Sequence, residues 1–150
     1  MSVEKIDRKI SVIFATDVVD YSLHMEKDES GTVTSLRTYE KILKQAFKKH
    51  GGRLFNTGGD SFMAEFSSAV KAVECAIDFQ NIVKEKNIKP ALSFRIGINA
   101  GDVILEKKNL LGDGVNVAAR LEQLAQPDGI TISKSIFDYI EGKIDLQIQD

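Results

Sequence analysis

Arg53-Leu54-Phe55-Asn56-Thr57-Gly58-Gly59-Asp60-Ser61-Phe62-Met63-Ala64-Glu65-Phe66 decides the fold. Two short apolar segments, Arg53-Leu54-Phe55 and Ser61 to Phe66, flank a glycine pair. That is the pattern of a β-hairpin, with Asp60 carried at its bend. Upstream, Gly51-Gly52 stop a helical pattern running from Ser22 to about His50, with a break expected near Ser30-Gly31. Its apolar stripe is Leu36, Tyr39, Ile42, Leu43, Ala46 and Phe47. Further upstream, Ile10 to Thr16 reads as a buried strand that delivers Asp17 to its C-terminal end. Downstream, Ser67 is a candidate N-cap for a helix from Ala69 to about Glu85. Leu92 to Asn99 alternates as a strand, Gly101-Asp102 reads as a turn, and Val103-Ile104-Leu105 returns from it. A helix over Val115 to Ala125, a short strand at Ile130-Thr131-Ile132 and a helix capped by Ser133 through Ile140 complete the chain. The order β-α-β-β-α-β, followed by further elements, predicts an α+β fold. Its core is ferredoxin-like, an antiparallel-rich sheet with helices on one face.

The 150 residues fit one domain with a substantial core, and 43% hydrophobic with 28% charged residues is ordinary for a globular protein. A formal net charge of −2 gives no electrostatic reason to expect a nucleic-acid partner. Cys75 is the single cysteine, so disulfides and cysteine-based zinc sites within one chain are excluded; a buried, inert thiol is expected. Met1 to Lys9 is polar and lacks a signal-peptide core, and no apolar run approaches the ~20 residues of a membrane span. A cytoplasmic domain with no direct membrane segment is the expectation.

Asp17 and Asp60 both fall where a strand gives way to a turn. Two carboxylates on neighbouring strand ends suit hard divalent cations, and glycines beside them let a phosphate chain approach the backbone. The turn Val18-Val19-Asp20-Tyr21-Ser22 leads from strand to helix and offers N–H groups to phosphate oxygens. Asn116 and Arg120 are four apart on a helix and project from one face, directly after the turn Leu111-Gly112-Asp113-Gly114. This pairing of acidic turns with an amide and a guanidinium points to chemistry on a nucleoside triphosphate. His24 and His50 have no partner at metal-ligand spacing and read as surface residues.

Five motifs in order carry a resemblance: Asp17-Val18-Val19, Thr57-Gly58-Gly59-Asp60, Phe66-Ser67-Ser68-Ala69-Val70-Lys71-Ala72-Val73, Phe94-Arg95-Ile96-Gly97-Ile98-Asn99-Ala100-Gly101, and Gly112-Asp113-Gly114-Val115-Asn116-Val117-Ala118-Ala119-Arg120-Leu121. From about Lys9 to Ile140 the chain resembles the catalytic domain of class III adenylate and guanylate cyclases. The resemblance implies a head-to-tail homodimer with active sites at its interface. Asp17 and Asp60 of one subunit, with a backbone carbonyl near Val18, would bind two divalent cations, Mg2+ or Mn2+. Val19, Asp20, Tyr21, Ser22, Gly58 and Gly59 would lie along the phosphates. Asn116 of the other subunit would orient the ribose, and Arg120 would stabilise charge on the α-phosphate. Cyclisation needs a 3′-hydroxyl activated and a pyrophosphate neutralised, which two metals about 3.5–4 Å apart can do.

Three positions depart from the family pattern. The base-selecting positions fall on Asn56 and Asn109, where adenylate-type members usually place Lys and Asp or Thr/Ser, and guanylate-type members Glu and Cys. Asn both donates and accepts, so it can read either purine edge; ATP is the expected substrate on family frequency, with guanylate or relaxed specificity as the alternative. Asp20 stands where the family commonly has Gly, and a helix-start role accounts for it. The family's later strands, with a phosphate-contacting Lys, have no counterpart, so the domain over 1–150 is expected to lack its last C-terminal strands. Two rival readings remain. Gly58-Gly59-Asp60-Ser61-Phe62 resembles the diguanylate cyclase signature Gly-Gly-Asp-Glu-Phe, which Ser61 breaks. A non-catalytic nucleotide-binding or dimerisation module is the other.

Overall fold

The computed structural model describes residues 6–145. The segments at 1–5 and 146–150, including the start of the polar leader and the expected loss of the last strands, lie outside the described residues. Eleven elements follow in order: β1 (Asp7–Val18), α1 (Tyr21–Lys27), α2 (Glu29–His50), β2 (Arg53–Gly58), β3 (Ser61–Phe66), α3 (Ala69–Glu85), β4 (Phe94–Glu106), β5 (Asn109–Leu111), α4 (Asp113–Leu124), β6 (Ile130–Ile132) and α5 (Lys134–Ile140).

β1 lies at the centre of a sheet ordered β2-β3-β1-β4-β5, with β6 also paired to β4. It is antiparallel to both neighbours, β3 and β4. β5 and β6 share the outer edge of β4, β5 against Ile104–Glu106 and β6, in parallel, against Ile96–Ile98. The α+β class and the ferredoxin-like order are as expected.

β1 is buried without interruption from Ser11 to Thr16 because both faces of the sheet are covered. Val12 and Phe14 point into a core shared with Leu36, Tyr39 and Phe47 of α2, Phe79 of α3 and Ile136 of α5. Ile13 and Ala15 point the other way, against Val103, Leu110, Val115 and Ala118. Thus α2, α3 and α5 occupy the expected face, and α4 packs on the opposite one. Aromatic edges lock the first core, with Phe14–Phe47 centroids 5.1 Å apart and Phe79–Phe94 5.2 Å.

Local expectations shift at four places. The break in the first helical stretch is at Asp28 rather than Ser30-Gly31. Asp28 closes α1 and caps α2 by accepting from Gly31 N at 3.0 Å. Gly31 is where the carboxylate needs room, since a Cβ there would overlap it. Ser68, not Ser67, caps α3, accepting from Lys71 N. The expected turn at Gly101-Asp102 does not form: β4 runs straight through it, paired to β1 from Asp7↔Leu105 to Val18↔Phe94. Gly101 is small for a different reason, close approach to α4, where an added Cβ would lie 3.3 Å from Gly114 Cα. Finally, Asn109 begins a short strand, β5, for which the local sequence carries no strand pattern.

Candidate active site

The hairpin between β2 and β3 forms as the glycine pair requires. Gly59 takes φ +64° at the first loop position, where a two-residue hairpin needs positive φ. Asp60 follows it, and its Oδ2 accepts from Val18 N at 3.1 Å. That bond fastens the hairpin tip to the end of β1, one residue after Asp17. The two carboxylates are close enough to interact: burial first, and then the charge of Asp17, push the Asp60 carboxyl above its usual range, against the pull of the Val18 N–H.

Asp17 faces the same side of the sheet as Ile13 and Ala15, the side that α4 covers. In the β1–β4 register it stands opposite Arg95. The guanidinium grips it through Nη2, 3.1 Å from both carboxylate oxygens, and through Nε at 3.3 Å. Gln123 of α4 joins in, its Nε2 donating to Asp17 Oδ2 at 3.1 Å and its Oε1 accepting from Arg95 Nη2 at 3.2 Å. Behind them lies Glu122, only 4% exposed. Burial, then a hydrogen bond to Asp17 and that carboxylate's charge, push the Glu122 carboxyl up to about 8. Glu122 therefore holds its proton to higher pH than an ordinary carboxyl does.

Asn116 and Arg120 lie exposed on α4, and neither side chain makes a hydrogen bond or ion pair among the described residues. The chain's own fold thus gathers Asp17 and Asp60 and leaves Asn116 and Arg120 free. In the Val18–Ser22 turn, Val19 N already donates to Ser93 O at 2.8 Å, so it is not one of the N–H groups open to a phosphate. Asp20 is at the N-cap of α1 as a helix-start role requires, but its side chain makes no cap bond. Its backbone is left-handed, φ 54° and ψ 40°, a conformation Gly adopts freely and Asp tolerates. This accounts for both the family's Gly and the acceptability of Asp. Tyr21 and Ser22 open α1, Tyr21 half-buried and Ser22 exposed. Gly58 and Gly59 are exposed at the hairpin tip.

Asn56 is exposed on β2 beside a register shift. Asn109 spends its Oδ1 on Leu110 N at 2.9 Å, leaving its amide NH2 as the group to present. Arg53 Nη1 donates to Lys108 O at 2.9 Å, tying the strand of Asn56 to the turn beside Asn109.

Arg95, Glu122 and Gln123 were not legible as site residues. One signal was present, for Glu122, a charged residue at an apolar-stripe position, i+7 from Val115 and i+4 from Ala118; Arg95 falls between the stripe residues Phe94 and Ile96 and carried none.

The family described as "Adenylate and Guanylate cyclase catalytic domain" matches residues 2–150. The chain belongs to that family. A protein of Rhizobium meliloti (strain 1021) named "Putative adenylate cyclase 3" is 42% identical over 155 residues, covering 100% of this chain and 26% of that protein. An "Adenylate cyclase" of Streptomyces coelicolor is 30% identical over 132 residues, covering 86% of this chain and 33% of that protein. The crystal structure of an adenylate/guanylate cyclase/hydrolase from Silicibacter pomeroyi superposes with TM-score 0.88 at 31% identity, over 97% of this chain and 88% of that one. This cyclase domain spans about a quarter to a third of the length of the two curated relatives. No helix among its described residues is long and apolar enough to cross a membrane.

Cyclase domains of this family generally use divalent metals. The residues present fit such ions. Asp17 and Asp60 offer oxygens of two carboxylates that repel one another, which is the charge pattern a hard divalent cation relieves.

Proposed function

We propose that this domain is a nucleotide cyclase that converts ATP to 3′,5′-cyclic AMP and pyrophosphate in signal transduction. The observation that carries the reading is the Val18 N–H bond that sets Asp60 beside Asp17 at the ends of β1 and the hairpin. The names of the relatives support adenylate over guanylate chemistry. Asp17, Asp60 and the Val18 carbonyl would hold two ions, Mg2+ or Mn2+. When bound, these lower the pKa of the ribose 3′-hydroxyl and neutralise the departing pyrophosphate. The 3′-oxygen forms a bond to the α-phosphorus as the bond from α-phosphorus to the bridging oxygen breaks, and the 3′-proton leaves to solvent.

The remaining work belongs to side chains. Arg95 balances the charge of Asp17 before substrate arrives and keeps a guanidinium beside the polyphosphate afterwards. Asn116 and Arg120, unpaired among the described residues, serve the site of a second copy in a head-to-tail homodimer. There Asn116 orients the ribose and Arg120 meets the developing charge on the α-phosphate, in the planar, bidentate manner guanidinium allows. Gly58 and Gly59 let the polyphosphate approach the backbone at the hairpin tip, with Tyr21 and Ser22 across from it. Asn56 and Asn109 face the purine.

The test is incubation of the protein with ATP and with GTP, each with Mg2+ or Mn2+, and identification of products by mass. Cyclic AMP is expected. Cyclic GMP alone overturns the substrate, and a cyclic dinucleotide supports the diguanylate reading instead. Manganese-dependent binding of a non-cyclisable triphosphate without turnover of ATP or GTP supports a non-catalytic module.

A further inference from the structure

On α4, Asn116, Arg120 and Gln123 fall at i, i+4 and i+7, one stripe along the helix. The first two are exposed and make no side-chain bond among the described residues, whereas the third is tied to Asp17. Gln123 is built into that contact from both ends of its amide. Nε2 donates to Asp17 Oδ2 at 3.1 Å, Oε1 accepts from Arg95 Nη2 at 3.2 Å, and its backbone carbonyl accepts from Arg95 Nη1 at 3.4 Å. Nε2 also contacts the Glu122 carboxyl. One amide thus holds both members of the Asp17–Arg95 pair and fixes how the carboxylate is turned.

We propose that Gln123 is a positioning residue for the metal-binding carboxylate of Asp17. The inference rests on the cation-binding reading of Asp17 given above. The Gln123 bond engages Oδ2, orients the carboxylate plane and holds Arg95 by a second acceptor. When a cation takes Asp17, Arg95 then has a place to stay without leaving the site. Outer-shell partners of this kind typically change metal affinity by about 10–100-fold when removed. Because Gln123 is exposed and adds nothing to either core, its loss spares the fold. The same bond ties the stripe carrying Asn116 and Arg120 to the protein's own Asp17, so the residues serving two sites move as one body.

The experiment measures Mn2+ binding to the full chain by the loss of the free-ion EPR signal, without nucleotide. It compares wild type, Gln123→Met, Gln123→Asn and Asp17→Asn, with melting temperatures for each. Gln123→Met keeps the side-chain length without the amide, and Gln123→Asn keeps the amide on a shorter stem. The expected result is about tenfold or greater weakening in Gln123→Met, partial recovery in Gln123→Asn, and melting temperatures equal to wild type. In turnover, the apparent KM for metal rises while that for nucleotide at saturating metal stays constant. Unchanged or tighter Mn2+ binding in Gln123→Met overturns the proposal while leaving Asp17 a ligand, provided Asp17→Asn still abolishes binding. A wild-type protein that binds no Mn2+, or an Asp17→Asn variant that binds normally, overturns both readings together.

Discussion

Gly97→Ala tests how α4 is held, since Gly97 lies on β4 directly beneath that helix. A Cβ at Gly97 would sit 2.8 Å from Glu122 Cα and closer still to Glu122 N and Ala118 O. All three are backbone atoms of α4 or its core stripe, so no side chain can swing aside. Reaching the ordinary contact limit of 3.4 Å demands a retreat of the helix by about 1 Å, set by the closer approach to Glu122 N. Overpacking of one methyl costs about 1–3 kcal/mol, and rigid backbone on both sides places this case near the top of that range. For a domain of this size each kcal/mol lowers the melting temperature by about 2–4 °C, so a fall of about 6–12 °C is expected. The retreat also draws Gln123 and Arg120 from their positions. Misplacement of reacting groups by about 1 Å costs about 10²-fold, so kcat/KM should fall by about 10- to 100-fold. Gly59→Ala is the contrast. It has φ +64° but nothing within 4 Å, and only backbone strain of about 1 kcal/mol is expected. The assays are thermal melts by circular dichroism and cyclisation rates. A Gly97→Ala protein that melts like wild type and turns over at the wild-type rate would show that α4 does not depend on this close approach.

Other perturbations separate the roles of single groups. Arg120→Ala should lose about 10²–10³ in turnover while keeping dimerisation, Mn2+ binding and melting temperature; a wild-type rate at saturating metal and nucleotide refutes its role. Glu122 has a folded pKa of about 8 against an ordinary 4.5, so its contribution to stability is fully present below 4.5 and is lost as pH rises towards 8. Glu122→Gln cannot ionise, so its melting temperature should fall less than that of wild type between about pH 5 and about pH 9; parallel curves would contradict the assignment. Cys75 is fully buried, and burial pushes its thiol up to about 12. It should react with a thiol reagent only as the protein unfolds, and rapid stoichiometric labelling of the folded protein would be inconsistent with that burial.

The parts of this fold that were legible in the sequence are those set by local chemistry. The hairpin follows from Gly58-Gly59 between alternating segments, and α3 from its cap and stripe. The strand from Ile10 to Thr16 follows from an apolar run; coverage of both faces buries it from Ser11 to Thr16, whereas Ile10, expected to be buried, is exposed. The misreadings arose where a distant partner overrides local preference. Gly101-Asp102 has turn chemistry, but twelve residues of β1 pair straight across it and Arg8 holds Asp102 at 2.8 Å. The same holds for the site. Asp17 and Asp60 are marked by their own turns, whereas Arg95 meets Asp17 only through the register of β1 on β4, 78 positions away in sequence.

What places α4, and with it Asn116, Arg120, Glu122 and Gln123, is a face of β4 opened by two glycines. Arg95, Gly97, Asn99, Gly101 and Val103 alternate onto the side that faces α4, opposite Phe94, Ile96 and Ile98. Gly97 admits the backbone of Ala118 and Glu122, and Gly101 admits Gly114. Between them Asn99, 6% exposed, donates its amide to Gly114 O at 3.0 Å and fixes the helix along its axis. A helix lying that close brings the side chain of Gln123 over the strand end where Asp17 and Arg95 pair. It also turns Asn116 and Arg120 outward, because the stripe Val115, Ala118 and Glu122 is consumed by the sheet. The two glycines and the asparagine therefore decide which side chains of α4 reach the chain's own Asp17 and which point away from it.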